Sequence, residues 1–163
     1  MEEISVLLVE DEQDIRELLS QKLINQGFLV YTCDRGDSVM DVVTKYNPDI
    51  ILLDQLMPGK MGIDVLRDLR NDSNFSDIPV IMVTGLGGEG EKLEAFNSGV
   101  DDYVTKPFHV DEVVARVLNM CQVSKHLKDY EVMRRVGLPC CPANAAYEIK
   151  AIAQYISPME GWA

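Results

Sequence analysis

The sequence predicts an α/β fold in which five β-α units form one doubly wound parallel sheet. Short apolar runs of four or five residues recur along the chain, as is typical of strands buried on both faces of a sheet. Stretches with apolar residues at helical spacing separate these runs, and glycine or proline ends several of them. Such alternation indicates right-handed crossovers and helices on both faces of the sheet.

Five segments are predicted as strands. The first, third and fourth each contain four consecutive apolar residues, and Pro79 precedes the fourth. The second and fifth are more mixed and are recognised by their place between helical segments. The predicted strands cover residues 5–9, 29–32, 50–54, 80–84 and 102–105.

Five helices are predicted after these strands. The first ends at Gly27, the second at Asn47-Pro48 and the fourth at Gly99, all of which are residues that stop helices. The apolar residues of the first helix lie at helical spacing: Ile15, Leu18, Leu19 and Leu23. The predicted helices cover about residues 14–26, 36–46, 62–71, 91–98, and 110 to beyond 120.

The expected strand order is 2-1-3-4-5, the flavodoxin-like winding, which is followed here by a C-terminal helical extension. This order places the topological switch point between the first and third strands. Asp11 follows the first strand and Asp54 ends the third. Because ligands of open α/β sheets bind outside the carboxyl ends of the strands at that point, the sequence predicts a site there.

Length and charge limit the functional classes. The 163 residues suit one domain plus an appendage. Residues 1–121 hold 10 Lys and Arg against 23 Asp and Glu, a net charge of −13, which disfavours direct nucleic-acid binding by residues 1–122. No apolar run approaches about 20 residues and the first residues are acidic, so we expect a cytoplasmic protein without a membrane span.

Polar side chains follow four of the predicted strands: Glu10 and Asp11, Asp54, Thr84, and Lys106. Each alone has an ordinary explanation, as a helix cap, a turn residue, a strand threonine or a surface lysine. Together they would gather three carboxylates, a hydroxyl and an ammonium at one edge of the sheet. An aspartate can accept a phosphoryl group as a carboxylate nucleophile, and Mg²⁺ takes carboxylate and phosphate oxygens as ligands. The set therefore predicts metal-assisted phosphoryl transfer.

Four stretches, in order along the chain, resemble the receiver domains of two-component response regulators. Val9–Glu12 resembles the acidic signature that opens these domains, and Asp54–Gly62 resembles the segment around their phospho-acceptor. Val83–Gly85 and Gly99–Phe108 are similar to their switch threonine and fifth-strand signatures. The match covers residues 4 to about 122, so we expect a receiver domain at 1–122 and a helical extension or the start of an output region at 123–163.

The resemblance implies roles around Mg²⁺. Asp54 would be the phospho-acceptor and would also ligate the metal. Asp11 would bind the metal directly, Glu10 would act through a water, and Leu56 would contribute its backbone carbonyl. Aspartate is commoner in the family than glutamate at position 10.

The resemblance also implies phosphoryl-binding and switching roles. Thr84 and Lys106 would hold phosphoryl oxygens, and Thr84 and Tyr103 would form the switch. The Lys106–Pro107 peptide would be cis. The protein would accept its phosphoryl group from a sensor histidine kinase or phosphotransfer protein and change its face of helix 4, strand 5 and helix 5. It would catalyse only its own phosphorylation and would not be an enzyme in the metabolic sense.

Two alternatives to a stand-alone receiver stay open: the N-terminal part of a transcription regulator with a truncated output domain, and a phosphorylation-independent interaction module. An aspartyl-phosphate hydrolase is disfavoured because Leu56 stands where a second acid would be needed. Leu56 and Leu86 are both apolar, and we expect their bulk to shield the acyl phosphate from water.

Two surfaces are candidates for homodimer formation. The resemblance implies that charges on the face of helix 4, strand 5 and helix 5 could pair between subunits, although they could equally be ordinary solvated charges: Lys92, Asp102, Glu112 and Arg116. In the extension, an apolar stripe is expected on a final helix: Ala145, Ile149, Ile152, Ala153 and Ile156.

Overall fold

The computed structural model describes residues 3–85 and 89–135, with side chains up to residue 122 and without that of Glu89. Two expectations lie outside the described residues. One is the apolar stripe between residues 145 and 156, and the other is the shielding role of Leu86.

Five parallel strands form one sheet in the order β2-β1-β3-β4-β5, which confirms the predicted winding. The short apolar runs form these strands because every residue of β1, β3 and β4 is buried. The strands are β1 (Ser5–Val9), β2 (Leu29–Cys33), β3 (Ile50–Asp54), β4 (Val80–Thr84) and β5 (Asp102–Thr105).

Helices follow each strand, as predicted. The third helix has the predicted bounds, the first and fourth differ by one or two residues at each end, and the second and last differ in other ways. The second begins with a 3₁₀ turn at Gly36–Ser38, and the last continues to Arg135. The helices are α1 (Gln13–Asn25), α2 (Val39–Tyr46), α3 (Gly62–Asn71), α4 (Glu89–Asn97) and α5 (Val110–Arg135).

Buried apolar side chains of the strands and of the inner faces of the helices form the hydrophobic core. Helix α3 contributes Val65, Leu66 and Leu69, which are all fully buried. Removing each such aliphatic side chain from water stabilises the fold by about 1.5–3 kcal/mol. Helix α1 buries Leu19 and Leu23, but Leu18 is 49% exposed, so its inward stripe is narrower than the spacing of its apolar residues suggested.

The chain divides into two compact units, the first from Met1 to Val117 and the second starting at Leu118, within α5. The boundary predicted at residue 122 remains a prediction. Among the described residues, no helix combines the length and apolar character that a membrane span requires.

Strand ends place the polar residues that the sequence singled out. Val9 ends β1 beside Leu53 of β3, so Glu10 and Asp54 follow directly at the same edge. Thr84 ends β4 beside Thr105 of β5. The carboxyl ends of four strands therefore meet where the site was predicted.

Candidate functional site

Three carboxylates converge at the carboxyl edge of the sheet. Glu10 and Asp54 are 2% and 4% exposed, and Asp11 is exposed to solvent. One carboxylate oxygen from each lies within 4.8 Å of the others. Buried carboxylates are normally paired with a cation because desolvation disfavours their charged form.

A single ammonium serves this group. The Lys106 Nζ lies 3.1 Å from Glu10 Oε2 and 3.1 Å from Asp54 Oδ2, and 3.8 Å from Glu12 Oε1. The Lys106 backbone N–H donates to the Thr84 carbonyl over 2.8 Å, which anchors the lysine to the end of β4. The Lys106–Pro107 peptide bond is cis.

The electrostatics show an excess of negative charge. The pKa of Glu10 is raised from 4.5 to about 7, first by burial and second by the neighbouring Asp54 charge, although Lys106 opposes both. Burial of Lys106 would lower its pKa, but the Asp54 and Glu10 carboxylates outweigh that effect and raise it. Lys106 alone therefore does not neutralise the three carboxylates. Because this cluster offers only oxygen ligands, it fits a hard divalent cation such as Mg²⁺.

Sequence reasoning missed Arg16, which holds the loop that carries two of these carboxylates. Its Nη1 donates to the carbonyl of Glu10 over 2.8 Å and to the carbonyl of Asp11 over 3.2 Å. The backbone N–H of Glu12 donates to Glu10 Oε1 over 3.2 Å. The feature of the sequence that could have indicated this role is the position of Arg16 in the first turn of α1, shortly after Glu10 and Asp11.

The predicted switch residues occupy the interior near this edge. Thr84 is fully buried at the end of β4, one strand away from Asp54, whose register partner is Val83. Tyr103 is 9% exposed and belongs to the hydrophobic core, with the Lys92 Nζ 5.6 Å from its ring centre.

The Leu56 backbone lies against the Asp54 side chain. Its N–H points at Asp54 Oδ1 over 3.4 Å, and its side chain is 50% exposed. The structure thus brings together Glu10, Asp11, Asp54 and Lys106 directly. Thr84 and Leu56 are joined to that group through backbone contacts.

Three of the four charges expected to pair between subunits are paired within the chain: Asp102, Glu112 and Arg116. Arg116 Nη1 donates to both carboxylate oxygens of Asp102 over 2.8 and 2.9 Å. Arg116 Nη2 also donates to Glu112 over 3.2 Å. On α4, Leu93 and Phe96 are 62% and 50% exposed, which leaves an apolar patch on this face.

A model of the response regulator receiver domain family matches residues 6–118. The phosphate regulon transcriptional regulatory protein PhoB of Escherichia coli is 36% identical over 139 residues, which cover 85% of this chain and 61% of PhoB. The cell cycle transcriptional regulator CtrA of Caulobacter vibrioides is 40% identical over 120 residues, which cover 74% of this chain and 51% of CtrA. This chain thus spans about half to three fifths of these relatives' length.

Solved structures show the same architecture. The Francisella response regulator 1452 receiver domain matches with a TM-score of 0.66 and 32% identity, over 70% of this chain and 93% of that domain.

Proposed function

This chain belongs to the response regulator receiver family, and on that premise we propose that it is a phospho-aspartate receiver of a two-component phosphorelay. The observation that carries the proposal is the Asp54 carboxylate, buried at the end of β3 within reach of Lys106 and two further carboxylates. Receiver domains are signalling modules, and the proposed chemistry is self-phosphorylation.

In the proposed reaction, an oxygen of Asp54 attacks the phosphorus of a phosphohistidine. The P–N bond to the imidazole breaks, the O–P bond of an acyl phosphate forms, and the imidazole leaves with the electron pair and takes up a proton. Lys106 would place its ammonium against the phosphoryl oxygens, since its Nζ already lies 3.1 Å from Asp54 Oδ2. The Thr84 hydroxyl would donate to another of these oxygens.

The metal-binding residues would be Asp11, Asp54, the Leu56 carbonyl and, through water, Glu10. Bound Mg²⁺ would neutralise charge on the phosphoryl group. Without a metal ion, the buried carboxylates of Glu10 and Asp54 share the ammonium of Lys106. The raised pKa of Glu10 reflects this incomplete neutralisation. Arg16 would keep the Glu10 and Asp11 backbone in place from α1.

The proposed donor is a sensor histidine kinase or a histidine phosphotransfer protein. The family supports a partner that carries phosphohistidine, because receiver domains take part in phosphorelays with such proteins. The identity of that partner would be found by phosphotransfer from purified kinases of the same organism to this chain.

Mass spectrometry tests the proposal. Wild-type protein incubated with acetyl phosphate and Mg²⁺ should gain the mass of one phosphoryl group. Asp54→Asn should gain none, whereas Asp101→Asn, at the opposite end of the sheet, should react. No gain in wild type, or an equal gain in Asp54→Asn, would refute the assignment.

A second proposal concerns output. PhoB and CtrA are named as transcriptional regulators, which supports a role of this chain in transcription control. The switched surface would be α4, β5 and α5, where Leu93 and Phe96 offer apolar contacts for a second copy. Light scattering of wild type and Leu93→Asp, each with and without beryllofluoride, tests this: wild type should dimerise with beryllofluoride and the variant should not.

We also propose that residues 1–122 make no direct contact with nucleic acid. The net charge of −13 over residues 1–121 supports this, because phosphate backbones would be repelled. Crosslinking of the full chain to DNA, followed by peptide mapping, would contradict it if crosslinks fell within these residues.

A further inference from the structure

The loop between β3 and α3, residues 55–61, follows the proposed acceptor directly, and its two ends are bonded together. The Gly62 N–H donates to the Gln55 carbonyl over 2.9 Å. The Ile63 N–H donates to the Gln55 side-chain oxygen, Oε1, over 2.7 Å. A single residue therefore ties the start of the loop to the first turn of α3 twice, once through its backbone and once through its side chain.

The side-chain bond replaces a missing helix cap. The first N–H groups of a helix have no partner within the helix, and a side chain just before the helix commonly accepts one of them. Met61 holds that position in α3 and makes no such bond. Because Ile63 is only 9% exposed, water has poor access to its N–H, and the Gln55 carboxamide supplies the acceptor from eight residues earlier.

The start of α3 lies against the backbone of the acceptor itself. A Cβ atom added to Gly62 would lie 2.3 Å from the Asp54 carbonyl oxygen and 2.9 Å from the Gln55 Cα. At such close approach, a shift of the first turn of α3 would be transmitted to residues 54–56.

The middle of the loop is held from another direction. The Gly36 N–H, just after β2, donates to the Pro58 carbonyl over 3.0 Å. A Cβ atom on Gly59 would lie 2.3 Å from the Asp37 carboxylate. These contacts hold the middle of the loop. The conformation of the residues next to Asp54 then depends on the two bonds that Gln55 makes to the start of α3.

We propose that Gln55 is a positioning residue for phosphorylation, which rests on the proposed function of Asp54. By closing the loop, it holds the Asp54 carboxylate and the Leu56 backbone in the arrangement that phosphoryl transfer requires. A glutamine suits this task because its side-chain oxygen reaches the Ile63 N–H at the start of α3.

The test compares three variants of the full chain. Gln55→Met keeps the length of the side chain and removes the carboxamide oxygen. Gln55→Glu keeps an acceptor for the Ile63 N–H. Arg67→Gly weakens α3 at an exposed position by a comparable amount, since glycine in a helix and a lost cap have similar effects, and it leaves the loop intact.

Two measurements are made on each variant. The first is the rate constant of phosphorylation by acetyl phosphate at saturating Mg²⁺. The second is hydrogen exchange of the Ile63 amide without metal, which reports the cap independently of activity. For Gln55→Met we expect the rate constant to fall about tenfold, because small misplacement of a reacting group is expensive, and Ile63 protection to fall about fivefold.

Gln55→Glu should keep the Ile63 protection and stay within about threefold of the wild-type rate, since it restores the bond that matters for position. Arg67→Gly should phosphorylate at the wild-type rate. The proposal is overturned if Gln55→Met reacts like wild type, if Gln55→Glu falls as far as Gln55→Met, or if Arg67→Gly slows as much. Failure of wild type to react at all would instead refute the proposed function, and loss of Ile63 protection in Gln55→Met would still establish the cap.

Discussion

Two clusters of basic and acidic side chains lie at opposite ends of the sheet and differ in how well their charges are matched. At the amino end, Arg70 of α3 pairs with Asp101 over 2.9 Å. At the carboxyl end, Lys106 faces two buried carboxylates, Glu10 and Asp54, at 3.1 Å each. Both clusters combine one basic side chain with one or more carboxylates. Their charges cancel at the amino end, whereas negative charge is in excess at the carboxyl end.

The amino-end cluster is bonded to the backbone of several neighbouring segments. Arg70 donates to three backbone carbonyls, those of Ser76, Ile78 and Gly99, over 2.7–3.1 Å. The Asp101 oxygen that receives Arg70 also accepts the N–H of Val80, at the start of β4, over 2.8 Å. This pattern is typical of a structural ion pair that fixes loops to the sheet.

In the carboxyl-end cluster the negative charge exceeds the positive charge of Lys106. The pKa of Glu10, raised to about 7, is the clearest sign of this excess. A fold that only needed stability would not bury two carboxylates beside one ammonium. The comparison indicates that the amino end of the sheet serves stability, and it supports the proposal that the carboxyl end takes a cation and a phosphoryl group.

The largest expected effect separates the two cations by activity. Lys106→Met should lower the phosphorylation rate constant by about 10²- to 10³-fold, because a charge aimed at the transferring group is lost. Arg70→Met should leave that rate within about threefold of wild type, because its cluster lies at the other end of the sheet. Both rates are measured with acetyl phosphate under saturating Mg²⁺. Equal losses in the two variants would erase the proposed division of roles.

Stability should separate the arginines of α3. Arg70→Met should lower the free energy of unfolding by about 2–3 kcal/mol, since a partly buried charge partner and three carbonyl acceptors lose their donor. Arg67→Met removes an exposed pair with Glu94 at 2.8 Å and should lower it by at most about 1 kcal/mol. Urea denaturation measures both. A larger loss at Arg67 would show that the amino-end cluster is not the structural one.

Glu10→Gln should stabilise the metal-free protein by about 1–2 kcal/mol at pH 8. Because burial raises the pKa of Glu10 in the folded state, the folded protein binds more protons than the unfolded chain between pH 4.5 and about 7. The destabilisation by ionised Glu10 is therefore absent below pH 4.5, grows between pH 4.5 and about 7, and is fully present at pH 8. Urea denaturation in EDTA at pH 5 and pH 8 measures the difference.

Asp101→Asn is the matched control for that prediction. Its carboxylate has a cation of its own, so the variant should be less stable than wild type at pH 8, opposite in sign to Glu10→Gln. Destabilisation by Glu10→Gln at pH 8 would mean that Lys106 already neutralises the carboxyl-end cluster.

The smallest expected effect concerns the exposed leucine beside the acceptor. Leu56→Asn should hydrolyse its acyl phosphate about threefold faster, because a polar side chain admits water that leucine excludes. Leu29→Asn, an exposed leucine at the amino end of the sheet, should hydrolyse at the wild-type rate. Loss of radioactive phosphate over time measures both. An unchanged or slower rate in Leu56→Asn would remove the shielding role.

The fold and the position of the candidate site could both be predicted from local patterns of apolar and polar residues in the sequence. The bounds of β1, β3 and β4 could be predicted because continuous apolar runs mark strands buried on both faces, and parallel strands bring their carboxyl ends to one edge. Those of β5 followed from its place between two helical segments. Glu10, Asp11, Asp54 and Lys106 could be grouped for that reason alone.

The details that depend on tertiary contacts could not be predicted. Arg70, Arg16 and Gln55 each act on backbone groups several residues or whole elements away, and no spacing rule identifies such partners. For the same reason, the sequence could not show that Arg116 and Asp102 pair within one chain. The extent of α5 was also open, because no glycine or proline stops it before Arg135.

Locating the phosphoryl group tests the central claim most directly. Protein treated with acetyl phosphate and Mg²⁺ is reduced with borohydride, which converts an aspartyl phosphate to homoserine, and its peptides are sequenced by mass spectrometry. The account predicts homoserine at position 54 alone, and none when EDTA replaces Mg²⁺. Homoserine at position 11 or 101, or equal conversion without metal, would contradict it.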